Sequence, residues 1–214
     1  MNCFLICRNY RSAALFIMKK QTHLPLKGVR IIDFGQQIAG PGAAMVMADL
    51  GATVVHVDPP AGPQWKHPAN AILNRNKSCI NLDLKTPAGL AQALELIAYA
   101  DVVIESFRPG VMQRLGIDFK QLRQTRPELV TLSMPGFASN DQLRRDWKAT
   151  EAVVAATAGA FTDMGFNRVL MGLNPSFSPL PLASSYSITL AASSVVLALM
   201  AREKTARGDS IEVP

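Results

Sequence analysis

Four consecutive residues, Asn74-Arg75-Asn76-Lys77, set two cations and two amides just before an apolar run. Such a set can hold a polyanion like a pyrophosphate, because guanidinium and ammonium groups give charge-assisted hydrogen bonds to phosphate oxygens. A second set, Phe107-Arg108-Pro109-Gly110, follows a run that reads as a strand. Ligands of α/β sheets gather at strand ends, so Phe107 could pack on a planar base and Arg108 or Arg114 could contact phosphate. Taken singly, each cation is an ordinary solvated surface residue. At two strand ends of one sheet they point together to a nucleotide-like ligand.

Other chemistries are weaker on the same residues. Gly35, Gly40 and Gly42 follow the first strand, but the dinucleotide fingerprint needs G-x-G-x-x-G, and position 45 is Met45. A nicotinamide site is therefore disfavoured, although Asp58 stands where a ribose-binding acid would. There is no P-loop and no G-x-S-x-G. His23, His56 and His67 have no metal-ligand spacing, and three scattered cysteines make neither a disulfide framework nor a four-ligand zinc site. His56 alternates with Val55 and Val57 and reads as a structural histidine on the polar face of its strand.

The elements that must position these residues are those of an α/β domain. Val29–Phe34 reads as a buried parallel strand, Gly35–Gly42 as a loop, Ala43–Leu50 as a helix with Gly51 at its C-terminal cap, and Thr53–Val57 as a second strand: one βαβ unit. Residues 59–72 form a loop. Cys79–Leu84 is strand-like, and Thr86-Pro87 opens a helix to about Tyr99, with Thr86 as N-cap and Pro87 in the first turn. Asp101–Glu105 and Leu129–Ser133 are strands, separated by helical turns at Pro109–Leu115 and Phe119–Gln124. After a polar loop at 138–148 comes an Ala-rich helix, Glu151–Phe161, and Ser210–Val213 starts a strand.

Charge and hydropathy narrow the function classes. The net charge of +6 comes entirely from Arg8, Arg11, Lys19, Lys20, Lys27 and Arg30, all ahead of the first acid, Asp33. A folded domain without a basic face excludes nucleic acid as the expected partner. The first residues have the wrong order of charge and apolar runs for a signal peptide. Residues 1–25 read as a lead-in outside the fold, with Met18 an alternative start and the domain spanning 26–214. Val169–Ala201 has no charged residue, but Pro175, Pro179 and Pro181 break its first half. The remaining run, Ile188–Ala201, is short of the ~20 residues a bilayer needs. A buried core helix and no membrane are expected. Cys79, the one cysteine inside the domain, suits a reducing cytoplasm.

Further segments carry a family resemblance: Leu26-Lys27-Gly28-Val29-Arg30-Ile31-Ile32-Asp33, Ala39-Gly40-Pro41, Ala48-Asp49-Leu50-Gly51-Ala52, Val57-Asp58-Pro59-Pro60, Asn74-Arg75-Asn76-Lys77, Leu82-Asp83-Leu84-Lys85-Thr86-Pro87, Ala100 through Gly110, and Lys204-Thr205-Ala206-Arg207-Gly208. In order and spacing the chain resembles the type III CoA-transferases, the family of formyl-CoA transferase, carnitine CoA-transferase and α-methylacyl-CoA racemase. The resemblance implies a Rossmann-like parallel sheet with helices on both faces. It covers the N-terminal part of a large domain whose small domain and C-terminal return lie beyond Pro214. It also implies coenzyme A or an acyl-CoA as substrate, a small carboxylic acid as acceptor, and no metal. The assembly it implies is an interlocked homodimer, or a partner chain that supplies the missing half.

Matched motif by motif, the CoA contacts implied are Gln36, Gln37 and Ile38 near the thioester; Leu73, Asn74, Arg75 and Asn76 at the adenosine and phosphates; Ser106, Phe107 and Arg114 after the next strand; and Lys148, Ala149 and Thr150 near the pantetheine. The family's nucleophilic aspartate follows Pro-x-Ala. Here the segment reads Pro181-Leu182-Ala183-Ser184, and the following Ser185 offers no carboxylate by a one-residue slip. A serine ester is less activated than a carboxylic anhydride, and the sequence identifies no base or oxyanion donor for Ser184. The expectation is loss of the usual reaction: a CoA-binding homologue, weak or inactive alone, or a non-catalytic assembly subunit, or a gene fragment. The racemase pair aligns with Thr150-Glu151, where only Glu151 could move a proton.

Overall fold

The computed structural model describes residues 24–161, 171, 172, 174 and 179–214. The expectations for Cys3, Cys7, Met18, His23, Val169 and Pro175 lie outside the described residues. Six strands alternate with helices: β1 (Arg30–Asp33), α1 (Ala39–Asp49), β2 (Thr53–Asp58), α2 (Asn70–Leu73), β3 (Lys77–Asn81), α3 (Pro87–Ala98), β4 (Val102–Glu105), α4 (Val111–Arg114), α5 (Phe119–Thr125), β5 (Val130–Ser133), α6 (Glu151–Thr157), α7 (Leu182–Thr205) and β6 (Ser210–Glu212). All pairings are parallel and the sheet order is β3-β2-β1-β4-β5-β6. This is the doubly wound order expected of a Rossmann-like sheet.

Strand residues alternate between two cores, as the two-residue period requires. Ile31, Val54, Val102, Ile104 and Leu132 pack with α1 and α7 through Ala43, Met47, Ala191 and Val195. Ile32, Phe34, Val57 and Val103 pack on the other face with Ala93 and Ile97 of α3 and with Met112 and Ile117. Burial on both faces is why β1, β2, β4 and β5 read as nearly continuous apolar runs, while the edge strands β3 and β6 are more polar and more exposed.

The short helix α2 forms at the end of the expected 59–72 loop, and α6 stops at Thr157 where the sequence reading ran to Phe161. Three further elements differ from the sequence reading. First, α1 begins at Ala39, so Gly40, Pro41 and Gly42 form its first turn instead of a loop. The glycines serve close packing: a Cβ on Gly42 would lie 2.3 Å from Ile188 Cδ1, and one on Gly40 would lie 2.8 Å from Gly35 Cα. Proline is tolerated in the first turn, where its missing N–H would have no intrahelical acceptor. Second, β3 starts at Lys77, before the expected Cys79, because Lys77 pairs with Val54 and its ammonium is used inside the domain. Third, α7 is a buried helix on one side only. Ala191, Ala192, Val195, Ala198 and Leu199 are buried, while Tyr186, Leu190, Leu197 and Met200 are exposed. By length and composition alone α7 could cross a membrane; its inner face instead covers the sheet. Thr86 caps α3 as expected, accepting the Gly89 N–H at 3.1 Å.

Candidate active site

The chain winds outward from β1 to β3, then returns to β4 beside β1. The loops after β1 and β4 therefore part at the carboxyl edge of the sheet, the usual ligand crevice of such folds. One serine ties the two loops together. Gln36 N donates to Ser106 Oγ at 2.8 Å, and Ser106 Oγ donates to Gln36 O at 3.2 Å. Gln37, the next residue, has φ of 65°, a left-handed conformation that costs a non-glycine residue energy and clusters at functional sites.

Beside this junction opens a cleft of about 210 Å³. It brings together Gln36, Gln37, Ile38, Ser106, Phe107, Lys148, Ala149, Thr150 and Ser184 from the sequence-predicted set. Arg108, Met134-Pro135-Gly136, Gln64, Glu151 and Ala183 also line it. The structure does not bring Leu73, Asn74, Arg75, Asn76 or Arg114 into it. Asn74–Asn76 precede the first residue of β3 and so lie at the amino edge of the sheet, opposite the cleft. There Arg75 is committed to Asp49 at the end of α1: its Nε lies 3.0 Å from both carboxylate oxygens, and its Nη2 also donates to Oδ2. Asn76 Nδ2 donates to the same carboxylate at 2.8 Å. Leu73 is buried, and Arg114 is exposed on α4.

Ser184 opens α7, and Glu151 opens α6 across the cleft. Ser184 Oγ donates to Glu151 Oε2 at 2.6 Å, Ser184 N donates to the same oxygen at 2.9 Å, and Ala183 N donates to Oε1 at 2.8 Å. A carboxylate thus faces Ser184, where the sequence identified no base. Their separation of 33 residues carries no local signal in the chain. Met134-Pro135-Gly136 was also missed, although a Pro-Gly turn at a strand's carboxyl end is a signal that could have found it.

Two buried charge groups support the carboxyl edge. Asp33, at the end of β1, accepts the Gly35 N–H at 2.8 Å, lies 2.8 Å from His56 Nδ1 and accepts from Lys77 Nζ at 3.0 Å. Burial works to raise the Asp33 carboxyl, but the Lys77 ammonium and His56 outweigh it and hold it below the ordinary carboxylate value. Burial works to lower His56, but the bond to Asp33 and its charge raise it instead. At the end of β4, Glu105 Oε2 accepts the Phe107 N–H at 2.7 Å and so holds the Ser106–Arg108 turn. Burial pushes Glu105 up to about 7, against bonds to Ser133 and Phe107 N that favour its charge, and Glu212 pushes the same way as burial.

A doubly wound sheet with its cleft at the switch point defines a Rossmann-like α/β protein, and the comparisons with known proteins narrow this to a family. The sequence pattern of CoA-transferase family III matches residues 26–214, and the chain belongs to that family. It is 78% identical over 197 residues to the CoA-transferase/lyase DddD of Marinomonas sp. (strain MWYL1), covering 92% of this chain and 24% of that protein. It is 32% identical over 206 residues to the succinyl-CoA–L-malate CoA-transferase alpha subunit of Chloroflexus aurantiacus, covering 90% of this chain and 47% of that one. The crystal structure of hypothetical protein Rv3272 from Mycobacterium tuberculosis superposes with a TM-score of 0.78 at 34% identity, over 88% of this chain and 54% of that chain. A CAIB/BAIF family protein from Brucella suis gives 0.78 at 26% identity. The chain thus spans about a quarter of the first relative and about half of the others.

Proposed function

We propose that this chain supplies the CoA-binding part of a cytoplasmic enzyme that moves CoA between an acyl-CoA and a carboxylic acid. The observation that carries this reading is the cleft at the switch point. There the strained Gln36–Ile38 loop, the Ser106–Arg108 turn and Lys148–Thr150 converge from three separate parts of a family III chain. Exposed Arg108 and Lys148 offer cations to the phosphates of CoA, and half-buried Phe107 offers an apolar face to its base or pantetheine arm. The Gln36–Ile38 loop and the α7 N-terminus would then meet the thioester. Ser184 at the family nucleophile position means that no aspartyl anhydride forms at residue 184.

Between α3 and the strands β1, β2 and β3 an apolar groove stays open, lined by Ile32, Val55, Ile80, Leu82, Leu96 and Tyr99. Together with the exposed stripe on α7 it favours an interlocked second copy or a partner chain over a free monomer.

A thermal melt of the chain with and without CoA tests the reading. Binding to the native state alone stabilises by RT ln(1 + [L]/Kd), about 2.7 kcal/mol at a hundredfold excess of CoA over Kd. A cooperative transition that CoA leaves in place overturns the assignment of the cleft.

A further inference from the structure

We propose that Glu151 is the carboxylate that takes the acyl group from a CoA thioester in this chain, in place of the residue at 184. The proposal rests on the reading of the cleft as a CoA-thioester site. The Glu151 side chain, opening α6, reaches across to the first turn of α7 and receives three hydrogen bonds there, from Ala183 N, Ser184 N and Ser184 Oγ. Its charge therefore lies at the amino end of a 24-residue helix, where negative charge is favoured. It is also held in one place, which a nucleophile needs for a near-attack geometry. Glu151, Ala183 and Ser184 all line the cleft. Ala183 N is the one described hydrogen-bond donor to Oε1, which leaves that oxygen a lone pair for attack. A carboxylate from the neighbouring helix thus reaches the position that the substitution to serine vacates, and Ser184 serves as a donor that orients it.

The chemistry balances without any further reactant. A Glu151 oxygen attacks the thioester carbonyl, the C–S bond breaks, and CoA leaves as the thiolate, giving a mixed glutamyl–acyl anhydride. The thiolate attacks the glutamyl carbonyl and releases the donor acid as its carboxylate, leaving a glutamyl–CoA thioester. An acceptor carboxylate displaces CoA from that thioester to form a second anhydride. The thiolate then attacks the acceptor's carbonyl, which frees the new acyl-CoA and regenerates Glu151. Each step exchanges one activated acyl bond for another. An ester on Ser184 would be too stable to return its acyl group to CoA.

The test incubates the full chain with acetyl-CoA or succinyl-CoA, quenches with hydroxylamine, and maps the modified peptide by mass spectrometry, with CoA binding measured separately by calorimetry. A hydroxamate on Glu151 is expected, persisting in lower yield in Ser184→Ala and lost in Glu151→Gln, while all three proteins bind CoA. The site labelled in the unmutated chain decides the matter even where Glu151→Gln fails to fold. An acyl ester on Ser184 in a parallel sample quenched in acid without hydroxylamine, or CoA binding with no hydroxamate on Glu151, overturns this proposal and leaves the CoA site standing; Glu151 is then only a cap for α7. Failure to bind CoA overturns the reading of the cleft, and this proposal with it.

Discussion

The two edges of the sheet carry similar polar residues and use them in opposite ways. At the amino edge, Arg75 and Asn76 turn back onto Asp49 and close the end of α1 on the start of β3. At the carboxyl edge, Gln37, Arg108 and Lys148 stay exposed around a cleft, while the loops that carry Gln37 and Arg108 are fixed from below by Ser106, Asp33 and Glu105. Arg75 spends its guanidinium on a carboxylate, whereas Arg108 gives one N–H to the Asp146 carbonyl at 3.0 Å and keeps its charge unpaired by any acid among the described residues. Composition cannot separate the two cases, because Asn-Arg-Asn-Lys and Phe-Arg-Pro-Gly both look phosphate-seeking.

The largest effect is expected at Lys77, which joins the two edges. Its backbone starts β3 at the amino edge, and its fully buried ammonium reaches Asp33 and the Pro41 carbonyl at 2.7 Å. Lys77→Met leaves Asp33 buried with only His56 as a charged partner, and the unfolding free energy should fall by about 3–5 kcal/mol. Urea unfolding measures it; a loss below about 1 kcal/mol would show that the pair does not hold the edges together. Next is Glu105. Its folded value of about 7 lies above the ordinary 4.5, so the native state binds more protons than the unfolded chain between those values. Stability must then fall as pH rises through that window, by up to about 3 kcal/mol. His56, raised above 6.5, adds a loss in the same direction at higher pH. Melts from pH 4.5 to 7.5 should show the decline, and Glu105→Gln should flatten its acidic part.

What the sequence made legible follows from period and punctuation. The apolar runs at β1, β2, β4 and β5, the Thr86-Pro87 start of α3 and the positive φ of Gly51 depend on neighbours in the chain, and all stand where expected. The first turn of α1 was misjudged because Gly40 and Gly42 answer to Ile188 and Gly35 in space, and a glycine that permits contact looks the same in sequence as one that permits a turn. The cleft was legible in part. Gln36–Ile38 and Ser106 were named by the family resemblance alone and Phe107 also by its place after a strand; all of them follow parallel strands, whose loops gather at one edge. Whether 74–76 joined them depended on which end of β3 they adjoined, and moving the strand start from Cys79 to Lys77 left them at the amino edge all the same. The Glu151–Ser184 contact joins two helices through one side chain that meets a hydroxyl and two backbone N–H groups 32 and 33 residues away, so no pattern along the chain announces it.

The smallest effects sharpen the comparison most, because they separate two cations of like type. Lys148→Ala at the carboxyl edge should weaken CoA binding roughly tenfold, the loss of one charge-assisted hydrogen bond. Arg75→Ala at the amino edge should leave CoA affinity unchanged. Its cost should appear instead in stability, and there it should be at most about 1 kcal/mol, because the Arg75 and Asp49 side chains are 44% and 33% exposed and water screens their attraction. Calorimetric titration of both variants with CoA, beside urea unfolding of each, reads the two quantities independently. If Arg75→Ala loses CoA affinity as strongly as Lys148→Ala, then Arg75 leaves Asp49 for the ligand, and the amino edge belongs to the binding site after all.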